Sequence, residues 1–308
     1  MLVVVAGATG HIGQKLIDSL YSRGHQVRAL ARNPSKLDNA RLTKLHEFVE
    51  SKAYYDTDAL DRACSGANAV ISAYSPTTEL QIDGQLALLR AAERANIRRF
   101  VVATWNNDWS RDPLGLHESY DGNVAFSRIA EISSTIKPIY IFTGVLAEVF
   151  WAATPEHSYF DLKHHGVWDR ETETFGVWGT GDEPWPWTTE RDAAEFTAAI
   201  VEREDAEQGG FWNTVSCINS LKELAAAYEK VTSHKVKLDK LGTVEDLRKT
   251  AFAAREQSIP LRYYEYSGYF YQLYTVDGTW EMKKIDNEKL DVQVTHLEEF
   301  LKDTFASK

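Results

Sequence analysis

Residues 2–6 form an unbroken apolar run, and a glycine-broken turn follows at once. Such a run suits a parallel strand covered on both faces. Over 11–23 the apolar residues Ile12, Leu16, Ile17 and Leu20 recur at helical spacing, and Gly24 is a stop. The alternation then repeats. Strands are predicted over 26–31, 45–49, 68–73, 99–104 and 138–143, and helices over 57–64, 84–95 and 123–133. Repeated β-α-β units with short connections predict a doubly wound parallel sheet of the α/β class.

After Gly144 the rhythm changes. The stretch 150–187 is rich in Trp, His, Gly and Pro, with little helical period. A strand is predicted over 174–181, ending in a glycine turn. Helices are predicted over 189–204, 220–232, 243–257 and 296–305, and the aromatic run 263–272 reads as another. Residues 1–148 are therefore expected to form the doubly wound layer. Residues 149–308 are expected to form a smaller substrate lobe, interleaved with the first in one globular unit.

The turn after the first strand reads Gly7-Ala-Thr9-Gly10-His11-Ile12-Gly13. Gly7 permits the tight turn, Gly10 lets a pyrophosphate approach the backbone, and Gly13 lets the helix pack against the sheet. The phosphate then lies on the N–H groups of a helix N-terminus. This is a Rossmann-type loop, and Gly7, Thr9, Gly10, His11, Ile12 and Gly13 are the expected cofactor contacts. The second strand ends in Arg32-Asn-Pro-Ser-Lys36, without the acid that would take a ribose hydroxyl and repel a 2′-phosphate. Arg32 and Lys36 favour NADP(H) instead. Ala73 and Thr104, at the ends of two further strands, complete the expected cofactor set.

Composition narrows the function classes. Hydrophobic residues are 44% and charged residues 26%, an ordinary globular balance. The net charge of -11 weakens any case for nucleic acid or an anionic membrane surface. No apolar run approaches the length of a membrane span. Met1 leads straight into a strand with no basic n-region, so no signal peptide is read and the cytoplasm is the expected compartment. Cys64 and Cys217 have no metal spacing and read as reduced thiols. Nine Trp, fourteen Tyr and thirteen Phe are many for the length, and they point to a flat, apolar small-molecule substrate.

The glycine loop, the 32–36 turn and Arg99-Phe-Val-Val-Ala-Thr104 resemble the NmrA-like and isoflavone-reductase-like atypical short-chain dehydrogenases. So do 174–181, Trp187-Thr-Thr-Glu-Arg-Asp192 and Lys284-Ile-Asp-Asn287. The resemblance covers nearly the whole chain. It implies NADP(H) binding and a place in secondary metabolism, but not a substrate, since the family also holds regulators that bind dinucleotide without turnover. Ordinary short-chain dehydrogenases use Tyr-x-x-x-Lys, and no Tyr here fits. The isoflavone-reductase-like branch carries a Lys in a Lys-x-x-x-Arg pattern, and in that register Asn123 takes its place. Asn is no general acid near neutral pH. No Lys occurs anywhere in 104–130.

Other proton donors are sought on the loop after the fifth strand. Asp108, between Trp105 and Trp109, is a candidate if desolvation raises its pKa; Tyr120 and His117 are the others. Trp105, Asn106, Thr143, Phe150, His157 and Trp168 are the expected substrate contacts. His157, Asp161, His164 and His165 invite a metal reading, but no third ligand has convincing spacing, so no metal is expected. The first reading is an NADPH-dependent reductase of an aromatic or alkaloid-like metabolite, acting on C=N, C=C or C=O. A redox-neutral cyclase or isomerase and a dinucleotide-sensing regulator are the alternatives. A homodimer is left open.

Overall fold

The computed structural model describes residues 1–305. Its central layers are β1 (Leu2–Ala6), α1 (His11–Ser22), β2 (Gln26–Ala31), β3 (Leu45–Glu50), α2 (Thr57–Cys64), β4 (Ala69–Ser72), α3 (Gln85–Arg94), β5 (Arg99–Val101), α4 (Glu118–Ser133), β6 (Ile139–Phe142), α5 (Glu190–Glu202) and β7 (Gly210–Asn213). The strands lie in the order β7-β6-β5-β4-β1-β2-β3, every pair parallel. This is the Rossmann doubly wound sheet. The winding reverses between β1 and β4, so a crevice opens at their carboxyl ends.

The apolar run of β1 feeds both faces. Val3 and Val5 join Leu16, Ile17 and Leu20 of α1 and Ala194 and Ala198 of α5. Val4 and Ala6 join Leu60 of α2, Leu88 and Leu89 of α3 and Phe126 of α4. Each fully buried side chain of this size contributes about 1.5–3 kcal/mol. No helix of the described residues is long and apolar enough to cross a membrane.

The expected cut at residue 148 does not divide the sheet, because α5 packs on α1 and β7 is its seventh strand. Glycines conceal β7 in the sequence: Gly209 and Gly210 both have positive φ and read as a loop. The edge that β7 exposes is partly tied down by the Lys284-to-Asn287 segment. Asp286 exchanges hydrogen bonds with the Asn213 backbone, and Asn287 does so with Val215.

Two further elements differ from expectation. Helix α4 begins at Glu118, not near 123, and runs through Gly122. That glycine is no breaker. A β-carbon there would collide with the Gln81 side chain, so it permits close packing. The aromatic run 263–272 is split at Tyr266 (φ -138°, ψ -10°) into a 3-10 turn, Pro260–Glu265, and a helix, Ser267–Val276. Beside the main sheet stand two three-stranded sheets built around Trp185–Thr188 and Thr174–Trp178. Their shared core holds Phe150, Trp151, Trp168, Phe175, Trp185 and Trp187.

Candidate active site

The glycine loop lies in the crevice. Gly7 has φ +82°, and a β-carbon on it would collide with the Ala73 carbonyl at the end of β4. Gly13 would collide with the loop itself, at Gly7 and Ala8. Gly10 is different. Its φ of -78° suits any residue, and a β-carbon would come no nearer than 3.4 Å to Gly7 O. Nothing within the chain requires glycine there, whereas a ligand on the backbone would. No side chain caps the first turn of α1, so its N–H groups face outward for an anion. We expect Gly10→Ala to fold as the parent does and to weaken NADPH binding roughly tenfold or more, the worth of one charge-assisted hydrogen bond. Fluorescence titration with NADPH measures it, and unaltered affinity would remove the loop from the cofactor site.

Thr9 contributes its carbonyl to Gln14 Nε2 at 3.1 Å, and the Ile12 side chain packs on the core, leaving its backbone to the loop. Arg32 and Lys36 follow β2 in an exposed turn and, among the described residues, make no salt bridge, unlike Arg41 and Lys44, which both pair with Asp18. These residues fit an NADP(H) with its 2′-phosphate at the end of β2. Thr104 stands apart from the rest of the expected cofactor set. Its hydroxyl accepts from Ile141 N at 2.9 Å and lies 3.3 Å from Ile141 O. β5 pairs with β6 through a single residue pair, Val101 with Ile139, so the Thr104 side chain replaces a missing ladder rung and is committed to the sheet.

Several expected substrate and acid positions are likewise engaged within the chain. Trp105 donates to Thr197 of α5, while Trp109 packs on Tyr140 and Phe142, so Asp108 is not held between the two indoles. Its carboxylate caps a turn at Ser110. Thr143 is fully buried and donates its N–H to Asn106 O. Phe150 and Trp168 are interior to the second lobe, with 2% and 0% exposure. Asp161 pairs with His164, and His165 stacks on Tyr269, so neither histidine joins His157.

What remains converges under α4. His117 holds the position before the first turn of this helix, with its ring not bonded to that turn, and sits in an aromatic cage with Tyr120, Tyr271 and Trp280. Its Nδ1 is 2.6 Å from Ser119 Oγ, which also bonds Tyr271 OH at 3.0 Å. Nε2 makes no well-formed hydrogen bond, although the Ser267 backbone lies toward the ring. Burial pushes this imidazole down to about 3, so it holds no imidazolium proton near neutral pH. The Tyr120 hydroxyl lies 3.4 Å from both the backbone N and Nδ2 of Asn107. It accepts from both, and its own proton faces the Tyr271 phenol. Burial, then the Tyr271 phenol, drives its pKa well above the usual phenol.

Asn123 follows Tyr120 by three residues and shares its helix face. It is 1% exposed, and neither amide atom has a hydrogen-bond partner. Among the described residues, Asn106 Oδ1 on the loop after β5 and Ser72 Oγ at the end of β4 are buried and unpartnered as well. Native interiors leave few such groups.

A second group lies at the glycine loop. The His11 and His157 rings are 4.3 Å apart, and His157 Nε2 is 3.1 Å from Glu190 Oε1 at the start of α5. Glu148 accepts from Glu190 N with both carboxylate oxygens. Burial first, and the Glu190 charge second, push Glu148 up to about 7. Burial disfavours the His157 imidazolium, but the Glu190 hydrogen bond and the neighbouring carboxylates outweigh it and hold its pKa above the ordinary value. Burial first, then the Tyr271, Glu190 and Glu148 charges, push the Tyr159 phenol above its usual range. Glu148, Glu190, Tyr271 and Trp280 are not singled out by sequence. Glu190 reads as an ordinary first-turn acid, and only the fold carries Trp280 to the cage.

The NmrA-like family model matches residues 1–301. Pinoresinol reductase 2 of Arabidopsis thaliana is 24% identical, over 97% of this chain and 96% of that protein. Among solved structures, the binary complex of leucoanthocyanidin reductase and NADPH from Vitis vinifera superposes with a TM-score of 0.77 at 19% identity, covering 99% of this chain and 100% of that one. An isoflavone reductase gives 0.78 at 18% identity, covering 98% of both chains.

Proposed function

The chain belongs to the NmrA-like family of atypical short-chain dehydrogenases, and on that premise we propose that it is an NADPH-dependent reductase of a small aromatic or alkaloid-like metabolite. Its class is that of an NAD(P)-dependent oxidoreductase with NADP(H) as cofactor. The nicotinamide, when bound, supplies the hydride. The relatives' own substrates, pinoresinol among them, support a phenolic or similarly flat acceptor.

The observation that carries the reading is Asn123. A buried amide with both polar atoms unpartnered costs stability and is retained where a ligand completes it. It stands on α4 beside the Tyr120 phenol, in the register of the family's Lys. Asn123 donates to or accepts from the substrate heteroatom and orients the acceptor carbon. It does not deliver a proton. Tyr120, its proton unclaimed by Asn107, is the hydroxyl to which we assign protonation of a developing oxyanion. Its raised pKa makes it a weak acid, so the site favours acceptors that need little protonation. A cationic C=N needs none.

Purified protein, NADPH and a panel of aromatic imines, enones and ketones test this. Loss of reduced-nicotinamide absorbance with a product two mass units heavier is the expected result. Product without NADPH loss would replace the reductase with a cyclase or isomerase, the reading that the missing lysine also supports. Tight NADPH binding with no product from any acceptor would leave a regulator.

A further inference from the structure

His11, His157 and Glu190 come from three separate parts of the chain and meet at the mouth of the glycine loop. Their candidate ligand atoms all lie within 4.8 Å of one another. His11 is exposed on the first turn of α1, whereas His157 and Glu190 are 5% and 4% exposed. The hydrogen-bond directions around His157 are determined by its neighbours. Thr154 Oγ1 has one proton and donates it to Glu156. It therefore accepts from His157 Nδ1–H, at 2.8 Å. Nε2 is left facing Glu190 Oε1 at 3.1 Å. Two lone pairs cannot rest against each other there, so either a proton or a metal ion lies between them.

The geometry suits the metal. With bonds of about 2.0 Å, two ligands of a tetrahedral Zn²⁺ stand roughly 3.3 Å apart. The Thr154 contact is the outer hydrogen bond that fixes tautomer and ring direction in metal-bound imidazoles. Glu148 takes the Glu190 N–H, at 3.0 and 3.2 Å, and adds a second carboxylate beside the first. Two imidazoles with one carboxylate select a borderline transition ion over Mg²⁺ or Ca²⁺.

We infer that the chain binds one divalent transition-metal ion, Zn²⁺ by preference, through His11, His157 and Glu190. The ion joins α1 to the 3-10 turn Pro155–Phe160 and to α5, clasping the second lobe across the glycine loop. Three protein ligands leave a fourth position for water or an anion. The inference is independent of the reductase reading. It also departs from the sequence-based expectation of no metal, which weighed only the histidines near His157.

Calorimetric titration of the chelator-treated full chain with Zn²⁺ is expected to show one saturable site. Co²⁺ in its place should give the visible ligand-field absorption of a low-coordinate ion. His11→Ala, at an exposed position, should lower Zn²⁺ affinity about tenfold or more with the fold unaltered. His164→Ala removes an unrelated exposed imidazole and should change nothing. A titration without saturation, full affinity in His11→Ala, or equal loss in His164→Ala would overturn the site and leave a His157 imidazolium paired with Glu190.

Discussion

Replacing Asn123 with leucine is expected to make the protein more stable and nearly inactive. The two halves have separate causes. The asparagine is 1% exposed, with neither amide atom partnered, and a buried polar group in that state costs about 1–3 kcal/mol. Leucine has the same branched skeleton of four side-chain heavy atoms, though it is bulkier, with no polar atom and a better helix propensity, and position 123 is interior to α4. Urea unfolding should therefore show a gain of about 1–3 kcal/mol. Turnover should move the other way. If the amide binds the heteroatom of the acceptor, its removal should lower kcat/KM by about 10²-fold, the usual cost of deleting one oriented donor. The pairing of signs is what tests the assignment. Lost activity with lost stability would indicate a damaged fold. Gained stability with full turnover would place Asn123 outside the site.

The parts of this molecule that can be read from its sequence are those where a local pattern has one physical solution. An apolar pentamer before Gly7 and a 3.6-residue period after it can become little other than β1 and α1, and the Rossmann winding follows from their repetition. Gly10 is readable for the opposite reason, since no local constraint demands a glycine there. The candidate site is less legible because its members are assembled by tertiary contacts. Thr104 looks like a strand-end hydroxyl free for a ligand, and only the short β5–β6 pairing shows it spent on Ile141. Gly122 looks like a helix breaker until Gln81 is seen against it. Phe150 and Trp168 carry the composition of a pocket and the location of a core. His11 and His157 are each visible as single histidines, but their meeting depends on how the second lobe folds back over α1.

His117 should make the protein acid-labile in a way that its own replacement removes. Burial pushes the imidazole down to about 3, with the Arg255 charge in support and the Ser267 backbone partly opposing. In the unfolded chain the ring titrates near 6.5. Below about pH 6.5 the unfolded state therefore binds a proton that the folded state refuses, and stability falls as the pH falls until about pH 3, where both forms are protonated. The slope is about 1.4 kcal/mol per pH unit, so between pH 6.5 and pH 4 this one group costs up to about 3 kcal/mol. The total pH profile will not isolate it, because Glu148 works in the opposite sense. Its folded pKa is raised to about 7, so the folded state gains a proton first and is favoured as the pH drops from 7 toward the ordinary carboxylate range. The informative quantity is the difference between the parent and His117→Phe, which keeps the ring volume in the cage of Tyr120, Tyr271 and Trp280 but does not titrate. That difference should be constant above pH 7 and should shift against the parent by about 3 kcal/mol at pH 4. A flat difference across the range would mean that the folded imidazole takes up its proton near 6.5. His117 would then regain its standing as an acid for the reaction and compete with Tyr120 for that role.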